Sequence, residues 1–150
     1  MTVTLAQVLA QVEANGNLLA IRFEPAVEAR YKAVDDQAQT PAGAKIRQFE
    51  AIHHCTPDTA RFLLSCSWGK YQIMGFNLNQ NVLAFASDPA AQDDALHLFL
   101  HGIGVSDEQF SDASWLKDPA ALRFATLYNG PGSPEAYLDK LREALTALGG

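Results

Sequence analysis

Eleven consecutive residues, Ser65-Cys66-Ser67-Trp68-Gly69-Lys70-Tyr71-Gln72-Ile73-Met74-Gly75, interleave two glycines, a tryptophan, two hydroxyls and a carboxamide with apolar side chains. A packing helix would instead repeat one apolar stripe every three or four residues. Glycine lets the backbone approach a ligand closely, Trp68 offers a flat face with one donor, and Ser67 and Gln72 offer fixed hydrogen-bonding groups. That set suits a sugar, which presents apolar ring faces and equatorial hydroxyls. The competing reading is a glycine-rich turn whose Trp68 and Tyr71 plug the core.

Glu13 is the second residue placed for chemistry. It follows Leu9 by one turn, at the edge of the apolar stripe Leu5, Val8, Leu9 and Val12 and just before Gly16. Its carboxyl is expected half against the core and half toward a cleft. Partial burial disfavours the charged form of a carboxyl, and a general acid must hold its proton near neutral pH. A solvated helix-end glutamate is the alternative. Glu24 lies eleven residues on and Glu28 one helical turn later. Either can serve as base or stabiliser if the carboxyls stand ~6.5–9.5 Å apart. Glu24 precedes Pro25, so it reads equally well as a helix-start acid favoured by the helix dipole.

These residues fall within three blocks that together resemble a known family. Ser67-Trp68-Gly69-Lys70-Tyr71-Gln72-Ile73 resembles the Ser-x-Gly-x-x-Gln-Ile element of the lysozyme superfamily. With its Trp and its Met74-Gly75, the block is most similar to the phage-type N-acetylmuramidase domain of modular endolysins. Upstream, Val12-Glu13-Ala14-Asn15-Gly16 and Ile21-Arg22-Phe23-Glu24-Pro25 resemble that family's Val-Glu-Ser-Gly-Gly and Ile-Leu-Phe-Glu. Downstream, Tyr128-Asn129-Gly130-Pro131-Gly132, then Tyr137 and Lys140-Leu141, resemble its Tyr-Asn-Gly-Pro-Gly block before the last helix. The blocks occur in the family's order over residues 12–141. One departure is that the family's Glu-Ser-Gly-Gly reads Glu-Ala-Asn-Gly here, which removes a hydroxyl beside the matched glutamate.

The resemblance implies a mainly α, lysozyme-like fold with a minor β element. It implies cleavage of the β-1,4 bond between N-acetylmuramic acid and N-acetylglucosamine in peptidoglycan. Glu13 matches the catalytic glutamate, Glu24 is the candidate second carboxylate, and Ser67, Trp68, Gln72, Tyr128 and Asn129 are expected to line the glycan cleft. The last block has no acid or base of suitable pKa, so recognition is its expected task. Two rivals stay open. A lytic transglycosylase would close the sugar's own 6-hydroxyl onto the anomeric carbon, and a glycan-binding or structural protein would keep the fold without catalysis, as the altered Glu-Ala-Asn-Gly block suggests.

Capping signals predict the helices that carry these blocks. Thr4-x-x-Gln7 is a capping box, with Gly16 as the stop of the same helix. Pro25, Pro57, Pro89, Pro119 and Pro134 each follow a Glu, Thr, Asp or Ser, a start signal repeated five times. Residues 18–23 are predicted as a short strand, residues 71–76 as a second strand or hairpin arm, and residues 37–43 as a polar loop. Tyr137, Leu138, Leu141, Leu145 and Leu148 are the expected inward face of the last helix.

At 150 residues, 48% of them hydrophobic, the chain predicts one domain with its own core, residues 1–150, acting as a monomer. A net charge of −6 without a Lys/Arg cluster argues against a nucleic-acid partner. Recognition of an acidic glycan must then rest on local groups such as Lys70 and Arg22. No membrane-spanning run and no basic leader are read in the sequence, so synthesis in the cytoplasm and action on the cell wall after export by another component are expected. Cys55 and Cys66 predict reduced, inert thiols. The pair His97 and His101, spaced i, i+4, lacks a third ligand to complete a metal site, and neither metal nor cofactor is expected.

Overall fold

The structure, a computed structural model, describes residues 2–150. The helices at Thr4, Pro25, Pro57, Pro89 and Pro134 begin where the caps predict. Helix α1 (Leu5–Ala14) opens on the Thr4/Gln7 box, with Thr4 Oγ1 accepting from the Gln7 amide and Gln7 Oε1 from the Thr4 amide. It ends as Asn15 turns left-handed at φ 49°, followed by Gly16 at φ 75°. Strand β1 (Ile21–Phe23) is the inner half of the expected strand, and α2 (Pro25–Lys32) starts at its proline.

Helix α3 (Pro41–His53) begins inside the segment expected as a polar loop. Thr40 caps it by accepting from the Gly43 amide at 3.1 Å, the same threonine-then-proline signal as elsewhere. Gly43 stays small because a Cβ there would stand 2.4 Å from the Ala38 carbonyl oxygen. Helix α4 (Pro57–Leu64) leads into β2 (Cys66–Trp68) and β3 (Ile73–Met74). Then come α5 (Val82–Ala86), α6 (Pro89–Gly102) and α7 (Asp107–Ser111). Pro119 starts a short 3-10 turn rather than an α-helix, and α8 (Leu122–Asn129) and α9 (Pro134–Ala147) complete the chain.

Two compact units are built from these elements, and the division falls inside α6. One unit joins the chain up to Gly16 with Asp93–Gly150. Within it α9 packs against α1 and α8. Its core includes Leu5, Val8 and Leu9 of α1, Phe124 and Ala125 of α8, and Tyr137, Leu138, Leu141 and Leu145 of α9. These are the apolar stripes the helical period predicts.

The other unit is Asn17–Gln92. Its antiparallel sheet has the order β1-β2-β3, pairing Ile21 with Trp68, Phe23 with Cys66, and Ser67 with Met74. The central strand β2 falls where no strand was expected, and the predicted arm at 71–76 reduces to two paired residues. Ile46 and Phe49 of α3, Ala60 and Leu64 of α4, and Val82 and Phe85 of α5 fill the core of this unit. His53 joins α3 to α5: its Nδ1 donates to the Phe49 carbonyl at 2.9 Å while its Nε2 accepts from the Val82 amide at 3.0 Å. That pairing requires the neutral ring with its proton on Nδ1. Arg47 donates to the carbonyls of Asp36 and Ala38, and Arg61 to those of Tyr31 and Val34, so two guanidiniums pin the loop before α3.

Candidate functional site

Glu13 lies half-buried in the last turn of α1. The Tyr137 hydroxyl, from the first turn of α9, donates to Glu13 Oε1 across 124 positions of sequence. Tyr137 is 6% exposed, so its ring is packed and its hydroxyl has little freedom to wander. The Tyr128 ring lies nearly parallel to it, 11° apart in plane and 6.3 Å between centroids. Tyr128 is buttressed in turn by the edge-on ring of Phe99 at 5.7 Å and by Phe124 at 5.6 Å.

The Tyr-Asn-Gly-Pro-Gly block forms the turn between α8 and α9. Gly130, at φ 87°, takes a backbone conformation that L side chains resist, and the turn it opens lets α9 fold back beside α8. Tyr128 then stacks on Tyr137, which reaches Glu13. Asn129 ends α8 with an exposed side chain. The role of Tyr137 was missed, because its spacing reads as core. The signal available was chemical: a tyrosine in an otherwise aliphatic inward stripe must find a partner for its hydroxyl.

Asn15 stands where the resembling block has its first glycine, and it takes the left-handed cap conformation at φ 49°. A left-handed cap position accepts Asn almost as readily as Gly, and its side chain is tied back by Gln11 Nε2 at 2.7 Å. The cap after Glu13 is thus kept.

In the other unit, the string that opened the sequence reading is turned inward. Trp68 is 2% exposed and donates its indole N–H to the Leu63 carbonyl at 3.1 Å. The expectation of a sugar-stacking Trp68 is corrected: with no exposed ring face, it is a core residue of the central strand. Ser67 is equally buried, and its hydroxyl donates to Gln72 Oε1 at 2.7 Å. Gln72 Nε2 donates to the carbonyls of Gly69 at 2.9 Å and Ala20 at 3.2 Å. Gln72 sits at φ 51°, a left-handed conformation held by those bonds. The polar groups expected to meet a glycan here brace the β2–β3 hairpin instead.

Gln92, missed by sequence reading, completes that brace. It is 1% exposed; its Oε1 accepts from the Lys70 amide at 2.9 Å, and its Nε2 donates to the carbonyls of Leu18, Phe85 and Ala86. Gly69, at φ 79°, leaves the space this carboxamide occupies: a Cβ there would stand 2.3 Å from Gln92 Oε1.

Glu24 precedes α2 without capping it through its side chain; its carboxylate pairs with Arg22 Nε at 2.7 Å. Glu28 pairs with Lys32 at 2.7 Å. Lys70 Nζ lies 5.0 Å from the Tyr71 ring centroid. Cys66 is free, and its thiol is pushed up to about 11, first by burial and then by the Glu28 and Glu24 charges. Cys55 is also free, and its thiol is raised first by burial and then by Glu50. Among the described residues no group of three or more His, Cys, Asp or Glu is disposed to hold a metal ion. The exposed rings of His97 and His101 both lean on Asp107, at 3.3 and 3.4 Å.

The sequence profile of the Muramidase family, described as N-acetylmuramidase, matches residues 7–149. An endolysin of Enterobacteria phage PRD1 is 34% identical, with 99% of each chain covered. No solved structure matches.

Proposed function

The chain belongs to the N-acetylmuramidase family, and from that premise we propose that it cleaves the β-1,4 bond between N-acetylmuramic acid and N-acetylglucosamine with Glu13 as general acid. It is a peptidoglycan-degrading glycoside hydrolase of mainly α, lysozyme-like fold. The observation that carries the Glu13 assignment is its setting: a half-buried carboxyl at a helix end, held by the hydroxyl of a buried tyrosine. A glycosidic oxygen leaves poorly unless it is protonated as its bond to C1 breaks, and a fixed carboxyl delivers that proton without first being ordered.

Glu24, in its ion pair with Arg22, is the second carboxylate in this reading, orienting the water or balancing positive charge at C1. Asn129 supplies a hydrogen-bonding amide to the sugar, while Tyr128 and the Ser67–Gln72 pair act through the architecture. The protein acts as a monomer on the cell wall. Among the described residues, no helix is long and apolar enough to cross a membrane.

Glu13→Gln tests the assignment, because the amide keeps the shape and cannot donate the proton. Clearance of a purified peptidoglycan suspension is expected to fall by about 10²–10⁴-fold with glycan binding retained. A variant keeping more than roughly a tenth of wild-type clearance would move the acid elsewhere, since general-acid catalysis is worth more than that. Mass spectrometry of the digest separates the chemistries: muropeptides with reducing ends mark hydrolysis, and 1,6-anhydro products lighter by one water would mark a transglycosylase.

A further inference from the structure

A carboxylic acid acts as a general acid through one oxygen, and the proton must sit on the oxygen that faces the leaving group. Nothing in an isolated carboxyl makes that choice. Here the Tyr137 hydroxyl donates to Glu13 Oε1. An oxygen that already accepts a hydrogen bond is the carbonyl-like oxygen of the protonated acid, so the acid proton is biased to Oε2. Once the proton has left, the same phenol faces a carboxylate, and a hydrogen bond to a charged acceptor is roughly twice as strong as one to a neutral acceptor. The contact thus strengthens as the glycosidic bond breaks, which is the condition for lowering a barrier rather than merely binding a substrate.

The surroundings fit a positioning task. Tyr137 is buried on the face of α9 that packs on α1, and the Tyr128 ring stacked on it restrains the plane of the phenol. Tyr128 is restrained by Phe99 and Phe124. A series of packed rings therefore ends in one hydroxyl aimed at one carboxyl oxygen.

We propose that Tyr137 is a positioning residue of the hydrolase, selecting Oε2 of Glu13 as the proton-carrying oxygen and stabilising the carboxylate left after proton transfer. The proposal rests on Glu13 being the general acid.

Tyr137→Phe removes the hydroxyl and keeps the ring that packs on Tyr128. Expected are a thermal midpoint within a few degrees of wild type, a kcat lower by about ten- to a hundredfold, and a KM little changed. The alkaline limb of the kcat/KM pH profile should move upward, because the ionised carboxylate has lost a donor and the acid form persists to higher pH. Replacing Tyr137 with 3-fluorotyrosine, a more acidic phenol and stronger donor, should move the same limb downward. Because it leaves the packing essentially intact, it keeps the proposal testable if the phenylalanine variant folds poorly. In a Glu13→Gln background, Tyr137→Phe should cost nothing further.

Wild-type kcat with an unmoved limb in Tyr137→Phe would overturn the proposal, as would a loss of activity that follows only the loss of folded protein. So would a limb that ignores fluorination. An active Glu13→Gln variant would instead remove the general-acid reading itself, and the two failures are told apart by which single variant keeps its activity.

Discussion

Gln72 shows how one side chain changes meaning once its partners are known. Read in sequence, its carboxamide beside Trp68 is a hydrogen-bonding group for a glycan. In the structure its oxygen takes the Ser67 hydroxyl and its nitrogen serves the Gly69 and Ala20 carbonyls. Gln72→Ala should therefore lower stability by about 1–3 kcal/mol, since it strips partners from part-buried groups, while turnover per folded molecule stays near wild type. Urea unfolding beside specific activity checks this. Unchanged stability with a large fall in turnover would return Gln72 to the glycan. Gln92 belongs to the same brace, with four backbone partners on one buried carboxamide.

Helix α1 is the element whose end matters most, because Glu13 occupies its last turn. The helix is closed by Asn15 in the left-handed region, where the cap N–H reaches the Ala10 carbonyl. A residue with an ordinary Cβ pays ~1–2 kcal/mol for that conformation. Asn15→Ala is expected to cost about 1 kcal/mol of stability and to fray the turn that presents Glu13, so activity should fall by more than the loss of folded protein explains. Asn15→Gly should match or exceed wild type in stability, since glycine adopts the conformation freely. Circular-dichroism melts and clearance assays on the pair check both directions. Equal activity in the two variants would show that the cap does not govern the carboxyl.

Net charge sets how the protein as a body meets its substrate. The chain carries −6 and faces a polymer rich in carboxylates. Like charges repel over about 10 Å at 0.1 M salt and about 30 Å at 0.01 M. Raising ionic strength from about 10 to about 150 mM should then speed clearance of purified peptidoglycan, the reverse of what a basic lytic protein shows. Initial rates across a salt series decide it. A rate that falls with salt would mean that a local cationic surface outweighs the overall charge.

The sequence alone determined what depends on neighbours a few positions away. Threonine, serine or an acid before proline marks helix starts at Pro25, Pro57, Pro89 and Pro134 because cap and proline act within one turn. The same rule would have placed α3 at Pro41, had the polar residues around it not suggested a loop. Glu13 was legible as a helix-end carboxyl at the border of an apolar stripe, and the three ordered blocks marked the family. Tertiary structure alone decided the partners. A string of mixed polar and apolar residues does not say which groups face each other, so β2 as a central strand, the burial of Trp68 and the inward turn of Ser67 and Gln72 came from pairing with residues far away in sequence. The contact between Tyr137 and Glu13 is the extreme case: helical periodicity says that Tyr137 points inward, and the packing of α9 on α1 sets its hydroxyl against the carboxyl.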